Sequence, residues 1–247
     1  MRRLHPSFED LELDAVYDGL TLDAGSGDRA TVALGMVSSV DGAAALDGQT
    51  TALGGPADRM AFRRLRAACD AILVGAGTVR DEDYGPPGGS ATRQADRLAR
   101  GLAAVPRLVI VTGRLRLDPA QRVFSDPTRR PLVVTTTRAP ASAASALAPV
   151  ADLLRLGDET VDLPALVSRL AMLGLRRVLC EGGPSLNAAL LADDLVDEVF
   201  LTVYPALLGG AAPRIVAGSG RTQVHPLALA TMHEHDGELL LHYRRVR

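Results

Sequence analysis

The feature that most constrains this chain is a series of short apolar runs, several of which close on glycines and lead into helical patterns. Residues 31–37, 71–74, 108–111, 132–135 and 178–180 are such runs, each of strand length. Helical periodicity follows over 57–68, near 93–103, over 139–149, over 162–173 and over 185–191. From residue 198 the order changes. A strand pattern over 198–203 is followed by 227–246, which reads as a hairpin around Asp236-Gly237. Strands that alternate with helices and then follow one another predict an α/β fold. Its sheet is mixed and mainly parallel, flanked by helices, with a C-terminal antiparallel hairpin. Residues 1–30 are acidic and irregular and read as an arm. Residues 31–247 read as one domain.

Composition narrows the function. All 27 Lys+Arg residues are Arg, which excludes a Schiff-base lysine and a P-loop lysine. The net charge of −2 carries no footprint for nucleic acid. The two cysteines, Cys69 and Cys180, each lie in an apolar stretch, so neither a disulfide framework nor a cysteine metal site is expected. No run of 18 apolar residues occurs, and the first ten residues lack an apolar signal core. The expectation is a cytoplasmic protein without a membrane partner.

Three strand ends carry the candidate chemistry. In Val178-Leu179-Cys180-Glu181-Gly182-Gly183-Pro184-Ser185-Leu186 an apolar strand meets two glycines and a helix start. Glycine lets a ligand approach the backbone, and a helix start offers free N–H groups, which together suit a diphosphate. A tight strand-to-helix turn that binds nothing fits the stretch equally well. Glu181 stands where ligands bind in open sheets, beyond a strand's carboxyl end. Gly75, Gly77 and Thr78 repeat the pattern without forming a Rossmann fingerprint, and Thr112-Gly113-Arg114 offers a guanidinium to a phosphate. Together these ends point to a nucleotide cofactor. Asp81-Glu82-Asp83 fits a metal or a sugar hydroxyl, and better a solvated acidic turn. His233, His235 and His242 lack a completing ligand, and no metal is expected.

The motifs together resemble the reductase domain of the bacterial RibD/RibG riboflavin-biosynthesis proteins. They are Ser39-Val40-Asp41-Gly42, Asp70 to Val79, Glu181-Gly182-Gly183-Pro184-Ser185-Leu186, Leu195-Val196-Asp197-Glu198 and Tyr204-Pro205-Ala206-Leu207-Leu208-Gly209-Gly210, in order over about 30–246. The resemblance implies a single-domain, three-layer, dihydrofolate reductase-like fold, NADPH as cofactor and a homodimer paired through its C-terminal strands. It implies reduction of 5-amino-6-(5-phosphoribosylamino)uracil or a related pyrimidine, with dihydrofolate reduction on the same scaffold as the alternative. A nucleotide-binding protein without turnover is the reading from another class. By similarity, Gly75, Gly77 and Thr78 contact phosphates, Thr112, Gly113 and Arg114 hold the adenosine 2′-phosphate, and Gly182, Gly183, Ser185 and Leu186 hold the diphosphate. Ser39, Asp41, Arg66, Asp83 and Glu181 are substrate positions, with Asp83 and Glu181 catalytic. The deaminase domain that usually precedes this one is not found in the sequence, which implies a stand-alone reductase. Two departures stand out. Ala43 replaces the family's lysine, and Glu82-Asp83-Tyr84-Gly85 replaces its arginine-bearing segment, with Thr92-Arg93 displaced by a Pro/Gly insertion.

Overall fold

The structure is a computed structural model that describes residues 1–25, 27–46, 49–50, 53–218 and 223–247. In chain order the strands are β1 (Arg2–His5), β2 (Glu9–Asp10), β3 (Thr31–Ser39), β4 (Ala71–Gly75), β5 (Arg107–Val111), β6 (Leu132–Thr135), β7 (Asp152–Arg155), β8 (Arg177–Cys180), β9 (Val196–Tyr204), β10 (Leu227–His235) and β11 (Glu238–Arg245). The helices are α1 (Pro56–Ala68), α2 (Ala76–Asp81), α3 (Ala91–Ala99), α4 (Ala141–Leu147), α5 (Leu163–Met172) and α6 (Pro184–Ala192). No helix of the described residues is long and apolar enough to cross a membrane.

The chain packs as two compact units. One comprises 23–31 and 69–178. Its sheet order is β4-β5-β6-β7, parallel throughout, with Ala71 opposite Arg107, Val109 opposite Leu132, and Leu132 opposite Asp152. The runs AILV and LVV are buried on both faces, as parallel strands between helices must be. Helix α5 starts at the Asp162 cap, whose carboxylate accepts from Ala165 N at 2.9 Å, and buries Leu163, Leu166, Val167 and Leu170.

The other unit comprises 1–22, 32–68 and 179–247, with strand order β2-β1-β10-β11-β9-β3. Pairing is antiparallel up to β9 and parallel between β9 and β3. Successive residues of β3 face opposite sides. A Cβ on Gly35 would meet Leu65 and Phe62 of α1, whereas Met36 meets Asn187 of α6. This sheet therefore lies between two helices, in three layers. The start of α1 is capped from a distance. The buried carboxylate of Glu238 accepts Gly55 N at 2.8 Å and Ala57 N at 3.1 Å.

The structure departs from the sequence reading at the N-terminus and at β7. Residues 1–22 are no irregular arm. β1 pairs with β10, Arg2 donates to Glu234 at 2.6 and 2.8 Å, and Val16 is fully buried with Ala57, Ala61 and Leu240. Edge pairing uses backbone groups, so an acidic sequence with one or two apolar anchors gives no sign of it. Within 31–247, the stretch read as one domain, two boundaries between the compact units fall inside β3 and β8. Strand β7 escapes the sequence reading because Asp152-Leu153-Leu154-Arg155 has only two apolar residues between exposed charged ends.

Candidate functional site

At the carboxyl end of β3, buried Ser39 donates its hydroxyl to Asp41 Oδ1 at 2.5 Å and accepts from Ala43 N at 3.0 Å. The Asp41 carboxylate also accepts Gly209 N at 2.7 Å and Leu208 N at 3.2 Å. The Ser39 hydroxyl first, then these two amides, hold its carboxyl down to about 2. Ser39 and Asp41 thus fasten the turn after β3 to the segment after β9, 167 and 168 residues away. Asp41→Ala is expected to free that segment. KM for substrate then rises severalfold while the melting temperature changes little, and limited proteolysis near Leu207 accelerates. An unchanged cleavage rate would show that the carboxylate does not hold the segment.

The structure brings Arg66 and Glu181 together. Arg66, in the last turn of α1, donates Nε to Oε1 at 2.6 Å and Nη2 to Oε2 at 2.7 Å. Glu181 follows β8 directly; its side chain is 6% exposed and that of Arg66 45%. This fork fixes the carboxylate's orientation at a strand end. The glycine turn comes next. The Gly182–Gly183 peptide is cis, and Gly182 has φ +88°, with Met36 3.4 Å from where a Cβ would stand. Gly183 caps α6 with an ordinary φ of −72°. The conformational demand therefore falls on Gly182. Ser185 is exposed in the first turn of α6, and Leu186 is buried.

Sequence reasoning missed Asn187. It is fully buried, donates Nδ2 to Ile215 O at 2.7 Å and accepts from the Cys180 thiol at 3.4 Å. A polar residue one turn into an apolar helix was its only signal.

In the other unit, Gly75 pairs in register with Val111, so the turns after β4 and β5 lie side by side. Gly75 caps α2, and Thr78 lies inside that helix. Gly77 borders open space: the nearest atom to where a Cβ would stand is Arg80 Nη2, at 3.9 Å. Thr112 is buried and donates its N–H to Val134 O at 2.9 Å; Thr136 Oγ1 donates to Gly113 O at 3.0 Å. Arg114 is exposed and has no ion-pair partner among the described residues. With Gly113, Arg116, Thr136, Arg138 and Ser142 it lines a cavity of about 650 Å³ beyond β5 and β6. Arg138 is held by Asp158 at 3.0 Å and Glu159 at 2.5 Å.

Asp83 lies on the surface of the same unit. Its side chain is 79% exposed on a turn with φ +44° and pairs with Arg122 at 3.1 Å. Surface pairs of this kind contribute little. Arg93 stands beside the Ser90 cap of α3, to which its own N–H donates at 3.3 Å. Among the described residues no group of three or more His, Cys, Asp or Glu gathers to hold a metal. His242 instead pairs with Glu198 at 2.5 Å and stacks on Phe200.

Among known proteins, the family model described as the RibD C-terminal domain matches residues 30–240. A 2,5-diamino-6-ribosylamino-4(3H)-pyrimidinone 5′-phosphate reductase of Archaeoglobus fulgidus is 36% identical over 60% of this chain and 67% of its own length. The protein of the same description from Methanothermobacter thermautotrophicus is 31% identical over 78% of this chain and 86% of its own. The crystal structure of a pyrimidine reductase-like protein from Corynebacterium diphtheriae superposes with a TM-score of 0.83, at 24% identity, over 96% of this chain and all of that one. This last likeness shows a shared fold.

Proposed function

Because the chain belongs to the RibD C-terminal domain family, we propose that it is an NADPH-dependent reductase of a ribosylaminopyrimidine 5′-phosphate. The relatives' descriptions support reduction of a pyrimidine in riboflavin biosynthesis. Hydride adds to the ribose carbon bound to the 6-amino nitrogen, the bond from that carbon to the ring oxygen breaks, and one proton goes to that oxygen, so the opened ribityl chain stays attached to the nitrogen. NADPH, when bound, supplies the hydride.

The observation that carries the substrate side is the Arg66–Glu181 fork. It presents a fixed carboxylate to a ligand beyond β8, where the N–H-rich edge of an aminopyrimidine provides donors. Ser39 and Asp41 support this side by holding the neighbouring segment in place, and Asp83 remains a proposed contact of the exposed turn. On the cofactor side the arginine-lined cavity carries the reading. Arg114 and Arg116 have no carboxylate partner among the described residues, and a 2′-phosphate supplies the anionic acceptor they lack. Thr112 and Gly113 position that turn. Gly75, Gly77 and Thr78 are assigned to phosphate contacts, and Gly182, Gly183, Ser185 and Leu186 to the diphosphate.

The test uses purified protein with NADPH or NADH and two substrates, the diaminopyrimidinone phosphate and dihydrofolate. Oxidation of NADPH with the first and none with the second is expected; the reverse would overturn the proposal. Arg114→Ala is expected to weaken NADPH at least about tenfold, the worth of one charge-assisted contact, and to leave NADH unchanged. Equal losses for the two cofactors in a fluorescence titration would refute the 2′-phosphate assignment.

The proposal includes a homodimer. Leu201, Val203, Leu239, Leu241 and Tyr243 form a half-exposed apolar face on β9 and β11, the strands being paired with Leu239 opposite Val203 and Leu241 opposite Leu201. Self-association of that face removes it from water. Light scattering at micromolar concentration decides between one copy and two.

A further inference from the structure

The unit containing β4–β7 holds a second cavity, of about 720 Å³, at the opposite end of the same strands. Arg107, Leu132 and Asp152, the first residues of β5, β6 and β7, all line it, whereas Thr112–Arg114 follow the last residue of β5. Five strand residues separate the two ends by roughly 16 Å. The volume falls in the range of small-molecule sites.

Its lining has two characters. Val105, Leu132, Leu153, Leu173 and Leu175 form an apolar wall, with Leu173 exposed. Four arginines (Arg107, Arg129, Arg130, Arg169) face two aspartates (Asp70, Asp152), an excess of two positive charges. The arginines are not equivalent. Arg107 and Arg130 both pair with Asp152, and Arg129 is held by Asp126 at 3.2 Å and by Pro87 O at 3.0 Å. Arg169, on α5, has no ion-pair partner among the described residues. An apolar wall beside an uncompensated guanidinium is complementary to one kind of ligand, an apolar ring system carrying an anionic group.

We propose that this cavity is a second ligand site, separate from the reductase site, for a small aromatic anion whose charged group meets Arg169 and whose ring lies on Leu173 and Leu175. Sulfonate, carboxylate and phosphate share the required charge. The site does not depend on the reductase reading, since no residue assigned to NADPH or substrate lines it.

The probe is 8-anilinonaphthalene-1-sulfonate, with the uncharged N-phenyl-1-naphthylamine as its control. On the full chain the sulfonate is expected to bind one per protomer, at least about tenfold more tightly than the control, and to remain bound in saturating NADPH. Arg169→Ala should cost the sulfonate about tenfold and leave the control unchanged. Leu173→Asp, at an exposed position, should weaken both. Competition by 1-naphthoate or 1-naphthyl phosphate identifies which natural anion the site prefers; competition by neither overturns the proposal. Displacement of the sulfonate by NADPH, or an Arg169→Ala variant that binds it like wild type, also overturns it.

Discussion

Asp58→Asn should stabilise the protein by about 3 kcal/mol at pH 8 and by almost nothing at pH 3.5. Asp58 stands in the first turn of α1, its side chain walled in between Tyr17, Thr202 and Glu238 and only 7% exposed. Burial, opposed by the Thr202 hydroxyl and reinforced by the Glu238 carboxylate, raises its carboxyl from 3.8 to about 6. The folded state then holds the proton more tightly than the unfolded chain does. Stability conferred by the protonated acid is complete below 3.8 and is lost as pH rises through 6. Asparagine keeps the shape and removes the titration.

His233, on β10 in the same unit, has the opposite sign. Burial, with Arg3 and His242 adding to it, lowers it from 6.5 to about 4. Its contribution is complete above 6.5 and is lost as pH falls through 4, again about 3 kcal/mol. Between pH 4 and 6 the two slopes cancel, so wild type should show a nearly flat profile from this pair. Each variant exposes the other group's slope. Asp58→Asn should gain about 3 kcal/mol between pH 4 and 6.5, and His233→Gln should lose about as much between pH 4 and 6. Urea unfolding at pH 4, 5, 6 and 7 measures both. Parallel curves for wild type and Asp58→Asn would show that Asp58 titrates in the fold as it does in the unfolded chain, its carboxyl not raised.

The second large effect is an asymmetry within the Arg66–Glu181 fork. Glu181→Gln removes the buried member and leaves a half-exposed guanidinium that water can serve, so stability should fall by less than about 1 kcal/mol. Activity should fall about 100-fold or more, because the proposed substrate contact is gone. Arg66→Ala leaves a carboxylate 6% exposed without its two guanidinium donors, which costs about 2–3 kcal/mol. A thermal or urea titration of both variants alongside kcat/KM separates the two roles. Equal stability losses would mean that the carboxylate is not the desolvated partner.

Much of this architecture is written in stretches of ten residues or fewer. The apolar runs of β4, β5 and β6, the helix read over 162–173 and the Asp236-Gly237 turn between β10 and β11 all fall where the sequence places them. Each depends on local periodicity or on a backbone conformation that its own residues favour. The glycine turn after β8 is legible for the same reason, although only the backbone shows that Gly182 and not Gly183 carries the positive φ. Pairing and burial across long separations are a different matter. Asp41 and Gly209 are 168 residues apart, Arg66 and Glu181 115, and Glu238 caps a helix 181 residues before it. No window contains both partners. The charge state of Asp58 likewise depends on desolvation by β9 and β11, and the acidic first segment is ordered by backbone pairing to β10. Local propensity selects elements, but desolvation and ion pairing act through space, and only the packed chain sets those distances.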